Sequence, residues 1–199
     1  MPRISAETRE ARRQHLLSAA VRCVAREGFH QTTMAHVIAE SGMSAGAVYG
    51  YFKGKHELIR AIADSVLGDL TGRLAVLAAR EPALAPLDAL EVVLDRLEEL
   101  LTAGDDGGNV PRVAVQAWAE AGRDPQVAAI VRERLEQLHA AWRTVLVHAR
   151  ESGALAADAD VETLAQVLVS TMMGFLQQRL LLDGLRPPGY VAGLRELRC

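Results

Sequence analysis

The chain has 199 residues, enough for one large domain or two small ones, and carries 22 Lys+Arg against 25 Asp+Glu for a formal charge of −3. Half of it is hydrophobic and 4% is aromatic, so a core can be filled and intrinsic disorder is excluded. The slightly acidic total argues against a uniformly basic nucleic-acid binder, while 33 Ala and 27 Leu make an all-α fold the expectation.

Helical periodicity runs through the chain, and no alternating β-branched segment bounded by turn residues stands out. A first helix is predicted from Ala6 to Glu27, with Leu16, Leu17, Ala20, Val21 and Val24 on one face and Gly28 as its stop. A short helix follows with Thr33 as N-cap and ends at Gly42. Ser44 caps another, reaching Gly50. After Tyr51-Phe52-Lys53-Gly54-Lys55 a longer helix buries Leu58, Ile59, Ile62, Ala63, Val66, Leu70, Leu74 and Leu77. Pro86 suits a first helical turn for the next, over 87–103. The Gly- and Asp-rich stretch 104–109 reads as a loop, followed by a helix over 111–121. Asp124-Pro125 opens a long helix to Ser152; Asp158 or Asp160 caps one to Leu182; Pro187-Pro188-Gly189 precedes a short terminal helix.

Two cysteines, Cys23 and Cys199, cannot make a disulfide framework or a zinc site. Cys23 reads as a small core residue and Cys199 as a frayed terminus, both suited to a reducing cytoplasm. The apolar run after Arg12-Arg13 is short and broken by Arg22, which argues against a cleaved leader. The longest charge-free stretch, Thr163 to Gln178, is too short to span a bilayer. The expectation is a soluble, cytoplasmic protein with no membrane partner.

Charge is not spread evenly. Residues 1–60 hold nine Lys+Arg and five Asp+Glu, while residues 61–199 hold thirteen and twenty. The only lysines, Lys53 and Lys55, flank Gly54. Such asymmetry suggests a nucleic-acid-binding head on an acidic body. The paired short helices around Gly42 have helix-turn-helix spacing, whose second helix enters the major groove and leads with its N-terminal residues. The N-terminal N–H groups of that second helix, Ser44 to Ala47, would also favour a phosphate.

With these residues in hand a resemblance becomes specific. Gly28-Phe29, Thr32-Thr33 and the run from Gly42 through Lys55 to Leu58 resemble the DNA-binding head of the TetR family of bacterial transcriptional repressors. The resemblance covers residues 12–58. It implies that Thr33 touches phosphate, that Ser44, Ala45 and Ala47 face base edges, and that Tyr49 lies on the DNA backbone. It places Tyr51 where a histidine is frequent, Phe52 inward, Lys55 on phosphate at the start of the fourth helix, and Lys53 as a second phosphate contact. Tyr49 and Tyr51 can also be read as partly buried core aromatics. Gly46 would allow close approach of its helix to DNA or to the preceding helix.

Two residues depart from the family pattern. His36 stands where an acid commonly completes a capping box, and Ile38 stands where a small alanine is usual and could spread the two short helices. The recognition helix has no Arg, Asn or Gln, so bidentate base readout is absent from it. Specificity is expected from thymine-methyl contacts by Ala45 or Ala47, from the hydroxyls of Ser44 and the tyrosines, and from DNA shape. Arg3 and Arg9 are read as an N-terminal arm that either adds minor-groove contacts or is disordered.

The expected organisation is a helix-turn-helix domain over 1–55 and a helical ligand-binding and dimerisation domain over 56–199. The resemblance implies a homodimer through helices near 125–152 and 161–182, on double-stranded operator DNA, with a small-molecule effector that releases it. Val161, Leu164, Ala165, Leu168, Met172, Phe175 and Leu176 form a broad apolar face expected at the dimer interface, with an intramolecular core as the other reading. Ser170 and Gly174 permit close helix approach. Gln116, Trp118, His139, Trp142, Met172, Met173 and Gln177 are the candidate effector-lining residues, and each also reads as ordinary core. No catalytic or metal-ligating constellation is present, so neither enzymatic activity nor a cofactor is expected. The alternative is a helical homodimeric small-molecule or protein-binding module with a vestigial head.

Overall fold

The computed structural model describes residues 5–103 and 110–197, and every regular element among them is helical. In chain order these are α1 (Ala6–Gln31), α2 (Met34–Ser41), α3 (Ala45–Tyr51), α4 (Lys55–Ala78), α5 (Pro86–Thr102), α6 (Val110–Ala121), α7 (Pro125–Glu151), α8 (Val161–Arg179) and α9 (Pro187–Glu196). Arg3, the 104–109 loop, Cys199 and the side chain of Val66 lie outside the described residues. Among the described residues, no helix is long and apolar enough to cross a membrane.

Two compact units are formed, one from residues up to 65 with 103–131, the other from 66–102 with 132–199. The described residues 56–65 and 110–131 therefore belong to the same compact unit as the head.

In the first unit, α1 supplies Leu16, Leu17, Ala20, Val21, Cys23 and Val24 to a core with Val37 of α2, Val48 of α3 and Leu58, Ile59 and Ile62 of α4. Val113 of α6 and Val127 and Ile130 of α7 complete it. Burial pushes the Cys23 thiol up, which keeps it a neutral core group. Gly28 leaves helical geometry at φ 80°, so the expected end of the first helix becomes a kink, with a further turn to Gln31. Thr32 closes that turn, its hydroxyl donating to the Gly28 carbonyl at 2.8 Å. Ser5 caps α1 by accepting from Thr8 N, which places Arg9 on a regular helix and corrects its reading as part of an arm. Ile38 packs partly buried against the core.

In the second unit, Leu70, Leu74 and Leu77 of α4 meet Leu90, Val93, Leu94 and Leu97 of α5. Trp142, Val145 and Leu146 of α7 and Leu168, Val169, Met172 and Phe175 of α8 fill the centre. Tyr190 of α9 stands edge-on to Phe175, ring centroids 5.2 Å apart. Asp160 is the α8 cap, accepting from Glu162 N and Thr163 N. Arg179 forks onto Glu98 at 2.7 and 2.8 Å, and Arg96 onto Asp69 at 2.8 and 2.7 Å.

The apolar face of α8 is the point where the structure corrects the sequence reading. Ala165, Leu168, Met172, Phe175 and Leu176 are buried in the monomer, and Val161 and Leu164 pack against the same core. Periodicity shows that a face is covered, not by what. The opposite face is the one left open: Val167 is 52% exposed and Ser170 is exposed beside it. A Cβ added at Gly174 on that face would meet only the Tyr190 hydroxyl, at 3.9 Å.

Candidate nucleic-acid interface

The interface is built from local caps. The Thr33 hydroxyl accepts from His36 N at 3.2 Å and starts α2. Gly42 ends α2 in the left-handed region at φ 64°, which reverses the chain toward α3 within two residues. Ser41 ties both sides of that turn, its hydroxyl donating to the Ile38 carbonyl and accepting from Met43 N. Ser44 then caps α3, accepting from Ala47 N at 3.3 Å.

One face of α3 is fixed inward by Val48, fully buried, and by Phe52, which follows it and carries the Arg13 guanidinium 5.8 Å over its ring. Ala45, Gly46, Tyr49 and Gly50 are thereby turned outward, with Ala47 half-buried. Tyr49 is 44% exposed, whereas Tyr51 is half-buried against the core. Nothing lies within 4 Å of a Cβ built on Gly46, so its role is not close approach to α2.

Beyond α3, the Lys53 ammonium donates to the Tyr49 carbonyl at 3.3 Å and the Lys55 ammonium to the His30 carbonyl at 3.2 Å. Both acceptors are backbone carbonyls, which position the two side chains. Glu57 accepts from Lys53 N, closing the turn between α3 and α4. By contrast, Arg22 and Arg26 are matched by carboxylates. Arg22 reaches Glu40 at 2.8 Å, while Arg26 reaches Glu40 at 3.2 Å and Glu27 at 3.1 Å. The Arg22 guanidinium, aided by Arg26, holds the Glu40 carboxyl below the usual carboxylate range, and Arg26 does the same for Glu27. Glu27 and Glu40 neutralise these arginines, whereas neither lysine ammonium pairs with a carboxylate among the described residues.

His36 is better placed than its departure from the capping pattern suggests. Its Nδ1 lies 2.5 Å from Glu27 Oε2, a contact that is an ion pair only when the imidazole is protonated. Sequence spacing could not reveal this, because it joins α2 to the end of α1. Two α1 residues were also passed over. His15 Nε2 lies 2.9 Å from the Ser41 carbonyl, and Arg12 lines a groove with Ser44 and Ala47.

The candidate effector residues fall in both compact units. Gln116 and Trp118 lie on α6 in the first unit; the other five lie in the second. Trp142 is fully enclosed and donates from Nε1 to the Met172 sulfur at 3.1 Å. Met173 and His139 are half-buried and Gln177 is exposed. Gln116 Oε1 is buried with no hydrogen-bond partner among the described residues.

A capped helix pair, an outward recognition face and a lysine pair beside it describe a DNA-reading head. The family profile of bacterial regulatory proteins, tetR family, matches residues 16–62, and the tetracyclin repressor-like C-terminal domain matches residues 88–192. The chain belongs to the TetR family. It is a helix-turn-helix transcriptional regulator. TetR regulators bind operator DNA and small-molecule ligands and are typically dimeric. The transcriptional repressor Rv1474c of Mycobacterium tuberculosis is 30% identical over 140 residues, covering 69% of this chain and 71% of its own. GusR of Salmonella enterica superposes with a TM-score of 0.78 at 26% identity, over 98% of this chain and 96% of its own. SmeT of Stenotrophomonas maltophilia, solved with triclosan, shares the fold at a TM-score of 0.75 and 24% identity, over 87% of this chain and 82% of its own.

Proposed function

We propose that this TetR-family chain is a cytoplasmic repressor that holds operator DNA as a homodimer and releases it when a small molecule binds its helical body. In function, residues 1–55 read DNA and residues 56–199 sense and dimerise. The observation that carries the reading is the Lys53–Lys55 pair, whose ammonium groups meet only carbonyls among the described residues, beside an outward α3. Thr33, Lys53, Lys55 and Tyr49 serve the phosphates, with Ser44, Ala45, Gly46 and Ala47 against base edges. Tyr51, held against the core, contributes its hydroxyl end.

Dimerisation is assigned to α7 and α8 through the open α8 face that carries Val167, Ser170 and Gly174. An apolar effector that opens the core beside His139, Met173 and Gln177 would separate Trp142 from Met172 and favour a conformation unsuited to the operator. Gln116 and Trp118 remain effector candidates on α6. The test is a gel shift with the duplex upstream of the chain's own reading frame. Binding tighter than to a scrambled duplex, and lost on adding an apolar compound such as triclosan, is the expected result. Equal binding to both duplexes would favour a binding module with a vestigial head.

A further inference from the structure

The cations of α1 divide into two groups. Arg13 pairs with Glu10 at 3.6 Å and stacks on Phe52, while Arg22 and Arg26 are matched by Glu27 and Glu40. Arg9 and Arg12 are exposed and have no carboxylate partner among the described residues, and of the two Arg12 is the one beside α3. It does not stand at random on the surface. Thr8, Arg12 and His15 form one face of α1, and with Met43, Ser44 and Ala47 they line a groove of about 430 Å³. Arg12 thus borders the N-terminal end of α3, while Lys53 and Lys55 follow its C-terminal end.

The dimensions give this arrangement a meaning. Seven residues of α3 span about 10 Å, close to the roughly 12 Å width of a B-DNA major groove. A helix seated in that groove has a phosphate rail at each end. Cations placed at both ends match both rails. We infer that Arg12 is a second phosphate anchor, and that the α1–α3 groove receives the DNA backbone on the side opposite the lysine pair. The guanidinium suits this role, because its planar donors match phosphate oxygens in pairs. The inference rests on the DNA-binding reading and deepens it.

The test is fluorescence anisotropy of the full-length dimer on two labelled duplexes, one upstream of its own reading frame and one scrambled, over a salt series. Phosphate contacts steepen the salt dependence by about 0.9 each, so Arg12→Ala should flatten the slope by about two per dimer on both duplexes. Affinity should fall roughly 30-fold at about 0.15 M salt. Arg12→Lys should keep the slope. Thermal unfolding of Arg12→Ala should match the parent, since the side chain has no carboxylate partner among the described residues to lose. A parental slope in Arg12→Ala would overturn the inference, as would weaker binding at unchanged slope. Equal affinity of the parent for the two duplexes would sink the regulator reading instead. The slope change is read on the scrambled duplex as well and still decides the role of Arg12.

Discussion

The Nε2 of His15 lies 2.9 Å from the carbonyl oxygen of Ser41, twenty-six residues away. A carbonyl only accepts, so this nitrogen carries the proton and donates. The bond ties the middle of α1 to the residue whose hydroxyl spans the Gly42 turn. It therefore fastens α1 to the last residue of α2, where the turn toward α3 begins. His15→Ala should cost about 1 kcal/mol of stability in urea unfolding. It should also weaken binding to the upstream duplex while leaving the salt slope at the parental value, because a position is lost and not a phosphate contact. A flattened slope would make His15 a direct contact.

The lysine pair predicts the opposite pattern. Replacing Lys53 and Lys55 together by Met keeps much of the aliphatic stem and removes both charges. The salt slope should drop by about four per dimer, and affinity should fall almost equally on specific and scrambled duplexes. Anisotropy over a salt series reads both. A loss confined to the specific duplex would show that the lysines read sequence.

Much of this site was legible because its parts are local. Thr33, Gly42, Ser44, Asp124 and Asp160 act within three residues of themselves, and a cap is written in that window. What stayed hidden spans the chain. His56 meets Asp124 at 2.7 Å across 68 residues, and Arg179 meets Glu98 across 81. The α8 stripe was visible as a stripe, but its partner was not, since burial in a monomer and burial in a dimer write the same period. Arg12 was visible as a charge, yet its value depends on which acids the fold gives to its neighbours.

The Glu98–Arg179 fork makes a prediction about acid stability. The Arg179 guanidinium holds the Glu98 carboxyl below its ordinary value of 4.5. A depressed folded value means that the pair stabilises fully above the unfolded value and loses this as pH falls through the folded one. Both side chains are mostly buried, at 14% and 19% exposure, so Glu98→Gln should cost about 2 kcal/mol at neutral pH. The difference from the parent should narrow as pH falls below about 4.5. Thermal unfolding from neutral to acid pH measures this. A constant difference across that range would show that the carboxylate's charge is not the source of the stability.

The most direct measurement of the central claim is selection of duplexes from a randomised library by the full-length protein. The account predicts an inverted repeat with half-site centres about 34–36 Å apart, or multiples of that spacing, as two symmetry-related heads require. The preference should rest on thymine-methyl and shape features, and Ala45→Gly should relax it at the thymine positions. Recovery of no enriched motif, with binding no stronger than to random duplex, would contradict it.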